Sequence, residues 1–241
     1  MIAALPMYDR PELRAETDAL WSALRDALRA RGIEAPETLT RDRDPWDIWQ
    51  DPRLLFAQTC GLPFRARLHD RVTLVATPDH GLPGCPPGHY NSVILARDGA
   101  LPAHPRLAIN DPLSQSGWAA LHGWLTSRAI TPGPVTITGA HAASARAVAR
   151  GVADLAAIDA QTWRHLVRFE QADPALEIAR TDPTPALPWI TAAPNDPAPI
   201  RAALTEARAA LPDSTRAALD LHGIVRIDAA AYRAIPIPPN P

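Results

Sequence analysis

Short apolar runs alternate along the chain with segments in which apolar residues recur at helical spacing. The runs have the length of buried strands, and they occupy residues 2–5, 54–57, 72–77, 92–96, 107–110, 135–138 and 154–158. The helical segments occupy residues 9–32, 117–127, 142–150, 160–169, 200–211 and 214–221. Strands that alternate with helices predict an α/β protein with a mostly parallel sheet.

The first helical segment carries its own start and stop signals. Asp9 can cap its amino end, with Pro11 in the first turn and Glu12 completing a capping box. Apolar residues then recur at helical spacing as far as Leu28, and Gly32 ends the pattern. These signals predict a helix that begins at Asp9.

Prolines and glycines concentrate in two zones, at residues 81–90 and 181–199, which divide the chain into three pieces. We expect the middle piece, residues 91–183, to form a second lobe inserted into the chain of the first. The first lobe would then comprise residues 1–90 and 184–241. Because ligands of open α/β sheets bind beyond the carboxyl ends of strands, the strand-to-helix turns are where a site is expected.

The most informative of these turns follows the apolar run at 107–110. Ser114, Gln115, Ser116 and Gly117 lie where the next helix begins. The amino end of a helix offers N–H groups without intrahelical partners and a partial positive charge, which suits an oxyanion. The two serine hydroxyls can add donors, and Gly117 lets a ligand approach the backbone. The alternative is that Ser114 is only a helix cap.

Two other residues occupy equivalent turns in the same piece of the chain. His141 stands at the start of a helix after the run at 135–138, where it can donate to an anion or transfer a proton. Asp159 follows the run at 154–158 and can line the same crevice. Each has a structural alternative, since His141 can be a surface or capping residue and Asp159 can cap the helix that follows.

Candidate ligand residues of the first lobe follow its first two apolar runs, and they are Tyr8, Asp9, Gln58, Cys60 and Gly61. Tyr8 can stack on a ligand or donate its hydroxyl. Asp9 has helix capping as its alternative role. These five residues extend the predicted site to the first lobe.

Composition limits how an anion could be held. The 241 residues include 24 basic side chains, all of them arginine, and 26 acidic ones, for a formal net charge of -2. Without lysine there is neither a P-loop nor a lysine Schiff base. The near-neutral charge argues against a nucleic-acid partner. Backbone N–H groups, serine hydroxyls and a histidine can still supply donors to an anion.

The chain shows no sign of membrane insertion. No stretch reaches the roughly 18 to 20 consecutive apolar residues of a membrane span. The first residues lack the basic and apolar regions of a secretory signal. We therefore expect a cytoplasmic location for the chain as given, or a periplasmic one if a leader is removed.

The two cysteines, Cys60 and Cys85, match no zinc-site spacing and no CxxC motif. In an oxidising compartment they could form a disulfide, and otherwise they would be buried thiols. The motifs HExxH, GxSxG and GxGxxG are absent. The sequence therefore predicts neither a metal site nor a cofactor.

Four segments together resemble the substrate-binding proteins of phosphate, phosphite and phosphonate ABC transporters. They are Gln-Thr-Cys-Gly-Leu-Pro at 58–63, Asp-Pro-Leu-Ser-Gln-Ser-Gly at 111–117, Gly-Ala-His at 139–141 with the segment at 147–159, and Thr-Pro-Ala-Leu-Pro at 184–188. The match runs in order through about residues 1–195. The resemblance implies a type 2 periplasmic-binding-protein fold, with two α/β lobes, a double hinge and a ligand cleft between the lobes.

The same resemblance implies a set of ligand-binding residues. It assigns the oxyanion to the second lobe's Ser114, Gln115, Ser116 and His141, with Tyr8 facing them from the first lobe. The chain departs from the family's usual pattern in lacking a leader and in two positions. Ala142 stands where members that bind an aminophosphonate often have an acidic residue. Gln115 replaces the threonine in the middle of the usual Ser-Thr-Ser turn.

These observations predict a non-enzymatic, monomeric binding protein for a phosphate-, phosphite- or phosphonate-like anion. It would serve an ABC permease, or act as a soluble sensor read by a signalling partner. The alternative is a cytoplasmic enzyme on the same scaffold, a lyase or biosynthetic enzyme acting on a small carboxylate or phosphate metabolite. His141, Asp159 or Cys60 would then be its acid or base.

Overall fold

The computed structural model describes residues 1–97 and 101–241, and these form two compact units. Unit 1 comprises Met1–Gly81 and Pro185–Ala234. Unit 2 comprises Leu82–Thr184 and the C-terminal tail, Ile235–Pro241. The chain therefore passes from one unit to the other three times.

The strands of the described residues are short, and most lie at or near the apolar runs. They are β1 Ile2–Ala4, β2 Leu54–Gln58, β3 Val72–Asp79, β4 His89–Tyr90, β5 Ser92–Leu95, β6 Leu107–Ile109, β7 Val135–Ile137, β8 Leu155–Asp159, β9 Glu177–Arg180, β10 Thr184–Pro185, β11 Trp189–Ala192 and β12 Gly223–Val225. The expected α/β class is confirmed by these strands and the helices between them.

The α-helices of the described residues are α1 Arg14–Arg29, α2 Pro45–Trp49, α3 Gly61–Pro63, α4 Ala120–Thr126, α5 His141–Ala149, α6 Ala160–Glu170, α7 Pro197–Ala210, α8 Asp213–Ala218 and α9 Ala229–Arg233. Turns of 3₁₀-helix occupy Pro11–Leu13 and Pro174–Leu176. Wider π-helical turns occupy Phe64–Leu68, directly after α3, and Gln115–Ala119, directly before α4.

Unit 1 is built on a five-stranded sheet with the order β1-β2-β11-β3-β12. Successive residues of a strand point to opposite faces, so Ala3 packs with α1 and α7 on one face, while Ile2 and Ala4 face the cluster containing α2 and α9. The aromatic side chains Trp21 and Tyr232 are almost fully buried on these two faces. Both faces of the sheet are therefore covered.

Unit 2 is built on a second five-stranded sheet with the order β7-β6-β8-β5-β9. One face packs against α4 through a cluster that includes Trp118, Leu121 and Trp124. Helix α5 contacts β6 and β8, and α6 contacts β8 and β5. The parallel pairs β6–β7 and β6–β8 bring the carboxyl ends of these strands to one edge, where the turns into the helices lie.

The prediction of a mostly parallel sheet was wrong. Strand β1 is parallel to β2, but β11 runs antiparallel to β2 and to β3, and β5 runs antiparallel to β8 and to β9. Both antiparallel strands follow a passage of the chain from one unit to the other. A helical crossover within one unit makes the two strands that it joins parallel. A strand that enters from the other unit is not bound by that rule and can run antiparallel to its neighbours.

Two other details differ from the predictions. The helical segment of unit 1 begins as the 3₁₀ turn Pro11–Leu13, so Asp9 does not cap it, and Arg10 is the capping position. The tail Ile235–Pro241 belongs to unit 2, whereas residues 184–241 were expected to stay together in the first lobe. Among the described residues, no helix has both the length and the apolar character required to cross a membrane.

Candidate functional site

The turn between β6 and α4 presents two buried serines at the start of a helix. We call residues 114–117 the serine turn. Ser114 caps the helix, since its Oγ accepts a hydrogen bond of 2.9 Å from the Gly117 amide. Its backbone carbonyl accepts from the Trp118 and Ala119 amides at 3.1 and 3.0 Å. Gln115 and Ser116 occupy the first turn of the helix, whose amides point toward its amino end.

The space beside the Gly117 Cα is occupied by Asn110, the residue after β6. A β-carbon built on Gly117 would lie 1.8 Å from Asn110 Oδ1, so only glycine fits there. Asn110 Oδ1 is buried and has no hydrogen-bond partner among the residues that the structure describes. Asn110 was not among the predicted site residues. Its position directly after a strand and before the Asp-Pro step was the signal that could have marked it.

The serine turn contacts the start of α5. Ser116 Oγ lies 2.9 Å from His141 Nε2, although the two residues are 25 positions apart in the sequence. The contact follows from topology, because β6 and β7 are parallel neighbours and the turns after them share one sheet edge. Thr138, after β7, fixes this edge by donating its amide to the Ile109 carbonyl at 2.8 Å.

His141 is half-buried, and the loss of hydration makes it a neutral imidazole. Removal from water lowers its pKa from 6.5 to about 4, and a backbone hydrogen bond with Ala157 acts more weakly in the opposite direction. At pH 7 the Ser116–His141 pair therefore carries no charge. An anion at this edge would be held by dipoles and hydrogen bonds, which agrees with the absence of lysine from the chain.

The lowered pKa of His141 predicts that unfolding becomes easier in acid. Between pH 6.5 and 4 the unfolded chain binds a proton at this residue and the folded chain does not. The contribution of His141 to the free energy of unfolding is therefore fully present above pH 6.5 and is lost as the pH falls toward 4. We expect this group to contribute a loss of up to about 3 kcal/mol in the free energy of unfolding. Urea unfolding at a series of pH values measures it.

The control for that measurement is a histidine at the surface. His141→Gln should remove most of the pH dependence between 4 and 6.5, while His104→Gln, at an exposed position, should leave it unchanged. An equal pH dependence in His141→Gln and in the unmodified protein would contradict a neutral His141 in the folded protein.

Asp159 takes the structural role that was its alternative. Its side chain is buried, and Oδ1 accepts a hydrogen bond of 2.8 Å from the Thr162 amide at the start of α6. Its backbone pairs with Ser92 across β8 and β5. The carboxylate thus caps α6, and its predicted part in ligand binding remains a prediction.

In unit 1, Tyr8 and Asp9 have definite partners after β1. The Tyr8 ring meets His80 edge to face, with centroids 5.3 Å apart. The Asp9 carboxylate accepts hydrogen bonds from Nε and Nη2 of Arg41, at 2.5 and 3.2 Å. Arg41 Nη2 also donates to Asp18 at 2.7 Å. Asp9 lies one residue before the capping position, and its carboxylate pairs with Arg41 instead. His80 is buried, and the sequence pattern gave no sign of it.

The turn after β2 is held by backbone and side-chain hydrogen bonds. The side-chain Nε2 of Gln58 donates to the Leu187 carbonyl at 3.2 Å, and the backbone carbonyl of Gln58 accepts from Trp49 Nε1 at 2.9 Å. Gly61 is buried at the start of α3. Thr59, which was not among the predicted residues, is fully buried, and its hydroxyl has no hydrogen-bond partner in the described part of the chain.

In the structure Cys60 and Cys85 are both half-buried thiols, and their disulfide in an oxidising compartment stays a prediction. Cys60 precedes α3 in unit 1, and Cys85 belongs to the proline-rich connector at the beginning of unit 2. Across the described ranges, no cluster of three or more histidine, cysteine, aspartate or glutamate side chains could hold a metal ion.

The sequence profile of one family matches residues 57–233, well over half of the chain. That family is described as ABC transporter, phosphonate, periplasmic substrate-binding protein. Comparison with curated protein sequences gives no match.

Solved structures share the fold at low sequence identity. XAC2383 from Xanthomonas citri, bound to chloride, has a TM-score of 0.69 and 14% identity, with 98% of each chain covered. PhnD1 from Prochlorococcus marinus, in complex with methylphosphonate, has a TM-score of 0.68 and 14% identity, over 97% of this chain and 95% of that one. A binding protein component of an ABC phosphonate transporter from Pseudomonas aeruginosa has a TM-score of 0.62 and 15% identity, over 93% and 80%. The predicted fold is confirmed.

Proposed function

Because the chain belongs to the family of periplasmic substrate-binding proteins of phosphonate ABC transporters, we propose that it binds a small phosphonate- or phosphate-like anion at the serine turn. The observation that carries the proposal is the 2.9 Å contact between Ser116 Oγ and His141 Nε2. It joins two polar groups at the edge of the unit 2 sheet where the ligands of open α/β sheets bind.

Donors without net charge would hold the anion. The Ser114 hydroxyl accepts from the Gly117 amide through its oxygen, which leaves its proton available to a ligand. The amides of Gln115 and Ser116 add the partial positive charge of a helix start. Buried donors of this kind interact strongly with a charged ligand, because water does not compete with them.

We propose further that the protein carries its ligand to an ABC permease in the periplasm and leaves it chemically unchanged. The family supports this role, because its members are described as substrate-binding proteins of transporters. Tyr8, Asp9, Gln58, Cys60 and Gly61 remain predicted ligand residues of unit 1. A cytoplasmic enzyme remains the alternative function.

Calorimetric titration tests the proposal directly. Methylphosphonate, phosphite and phosphate should each be titrated into the protein, with sodium chloride at the same ionic strength as the control. We expect saturable binding with one site per chain for at least one of the three. The absence of binding by all of them would overturn the proposal.

A second measurement separates binding from catalysis. The ³¹P spectrum of the bound ligand should be followed during long incubation with the protein. An unchanged ligand, recovered after denaturation of the protein, is expected for a carrier. A new phosphorus resonance that grows with time would favour the enzyme.

A further inference from the structure

The C-terminal tail is a proline-rich segment that contacts the core of unit 2. Its sequence is Ile-Pro-Ile-Pro-Pro-Asn-Pro, so that four of its seven residues have no backbone N–H. Such a segment favours the extended polyproline II conformation, which leaves its carbonyl groups available as acceptors and loses little entropy when it binds.

One hydrogen bond joins the tail to the helix that begins at the serine turn. Trp118 Nε1 donates to the Pro239 carbonyl at 2.7 Å. The Trp118 ring is 2% exposed and belongs to the core cluster beneath α4, so its N–H would lose a buried partner if the tail left. Trp118 is the residue directly after Gly117, in the π-helical turn that carries Ser116.

The tail also lines a cavity of about 500 Å³ within unit 2. Its other walls include His122, Trp124 and Arg128 of the α4 region, and Gln115 of the serine turn. The Arg128 guanidinium stacks over the Trp124 ring at 4.3 Å, and His122 lies 5.3 Å from the Trp118 ring. Grooves lined by aromatic side chains with an indole N–H donor are the type that binds proline-rich peptides.

We propose that the surface of unit 2 formed by Trp118, which bonds the tail, and by the cavity residues Gln115 and His122, here called the groove, is a binding site for a proline-rich segment. Its ligand is the chain's own tail, and tail binding and anion binding strengthen each other. The groove and the serine turn share Gln115, and Trp118 lies in the same π-helical turn as Ser116. A π-helical turn is a rare geometry that frequently occurs at functional sites. The tail holds this turn through Trp118. The coupling rests on the proposed function, while the groove does not.

The test uses the protein shortened by its last seven residues, together with a synthetic peptide of residues 235–241. Removal of the tail should weaken methylphosphonate binding by about tenfold, within the usual range of coupling between sites. Added peptide should restore the affinity for methylphosphonate. We expect the peptide to bind with a dissociation constant on the order of millimolar, because a short tether gives the attached tail an effective concentration in that range. Calorimetric titration should report peptide binding, and a peptide of scrambled sequence is the control.

Coupling between two sites is reciprocal, so the same factor must appear in the other direction. Saturating methylphosphonate should tighten peptide binding to the shortened protein by about tenfold. Equal anion affinity with and without the tail would overturn the coupling. Failure of the peptide to bind would overturn the groove. If the full-length protein binds no anion, the proposed function fails, but peptide binding still decides the groove.

The full-length variant Trp118→Phe provides the answer if the shortened protein does not fold. It keeps a ring in the core and removes only the N–H that reaches Pro239. Anion affinity should fall in this variant, and proteolysis of the tail should become faster. Trp163→Phe, which removes a buried indole N–H elsewhere in unit 2, is the matched control and should change neither quantity. Unchanged proteolysis of the tail in Trp118→Phe would contradict the proposal.

Discussion

Replacing Ser114 and Ser116 together by alanine should lower the affinity for the oxyanion by about 10² to 10⁴-fold. Each hydroxyl would make a hydrogen bond to a charged acceptor, and two such bonds contribute roughly 3 to 6 kcal/mol. The effect is expected in the dissociation constant measured by calorimetry. The loss of binding free energy in the double variant should differ from the sum of the losses in the two single variants, because Ser116 also contacts His141 and Ser114 also caps the helix.

The control must separate lost binding from lost stability. Ser114→Ala alone removes a helix cap and should cost about 1 kcal/mol in the free energy of unfolding. The double variant Ser22→Ala/Ser214→Ala removes two serines from helices of unit 1 and should leave anion affinity unchanged. Equal affinity of the Ser114→Ala/Ser116→Ala variant and the unmodified protein would sink the assignment of the serine turn.

Gly117→Ala should disrupt the same turn by a different mechanism. The new methyl group would have to share space with Asn110 Oδ1, 1.8 Å away, and with Ser114 Oγ, 3.0 Å away. Forcing an atom into such a site costs about 1–3 kcal/mol. Since relief of the overlap would move the Gly117 amide or the Ser114 hydroxyl, we also expect anion affinity to fall by about tenfold or more.

Gly123 offers a matched control, because it lies in α4 and an added methyl group there would meet no atom within 4 Å. Gly123→Ala should therefore stabilise unit 2 by about 0.5–1 kcal/mol through helix propensity. The clash itself can be tested by Gly117→Ala/Asn110→Ala, which should recover part of the lost stability relative to Gly117→Ala. Thermal unfolding measures both, and equal stability of Gly117→Ala and the unmodified protein would contradict the packing described here.

Much of the fold followed from apolar periodicity, but the strand at the centre of unit 1 did not. Strand β11, Trp189–Ala192, lies between Pro188 and Pro194 in a segment that the prolines marked as a connector. Both prolines lie outside the strand, where they remove no hydrogen bond from the sheet. Local composition therefore obscured a strand whose position depends on pairing with β2 and β3, more than 100 residues earlier.

The candidate site shows the same limit. The helix start at Ser114 could be recognised from the sequence because a cap is a local feature. The contact between Ser116 and His141 could not, because it depends on β6 and β7 being parallel neighbours. Asp9 illustrates the reverse case: the local capping signal was misleading, because the helix begins after Arg10 and the Asp9 carboxylate pairs with Arg41, 32 positions away.

The place of β11 in unit 1 has a consequence for the order in which the protein can fold during its synthesis. When the ribosome has added the last residue of β3, the edges of β2 and β3 that β11 will occupy are still without a partner. They stay so until Ala192 has emerged, after nearly all of unit 2. Unit 2 can thus fold on the nascent chain while unit 1 is incomplete, and the unpaired strands are the part of the newborn protein that most needs protection from aggregation.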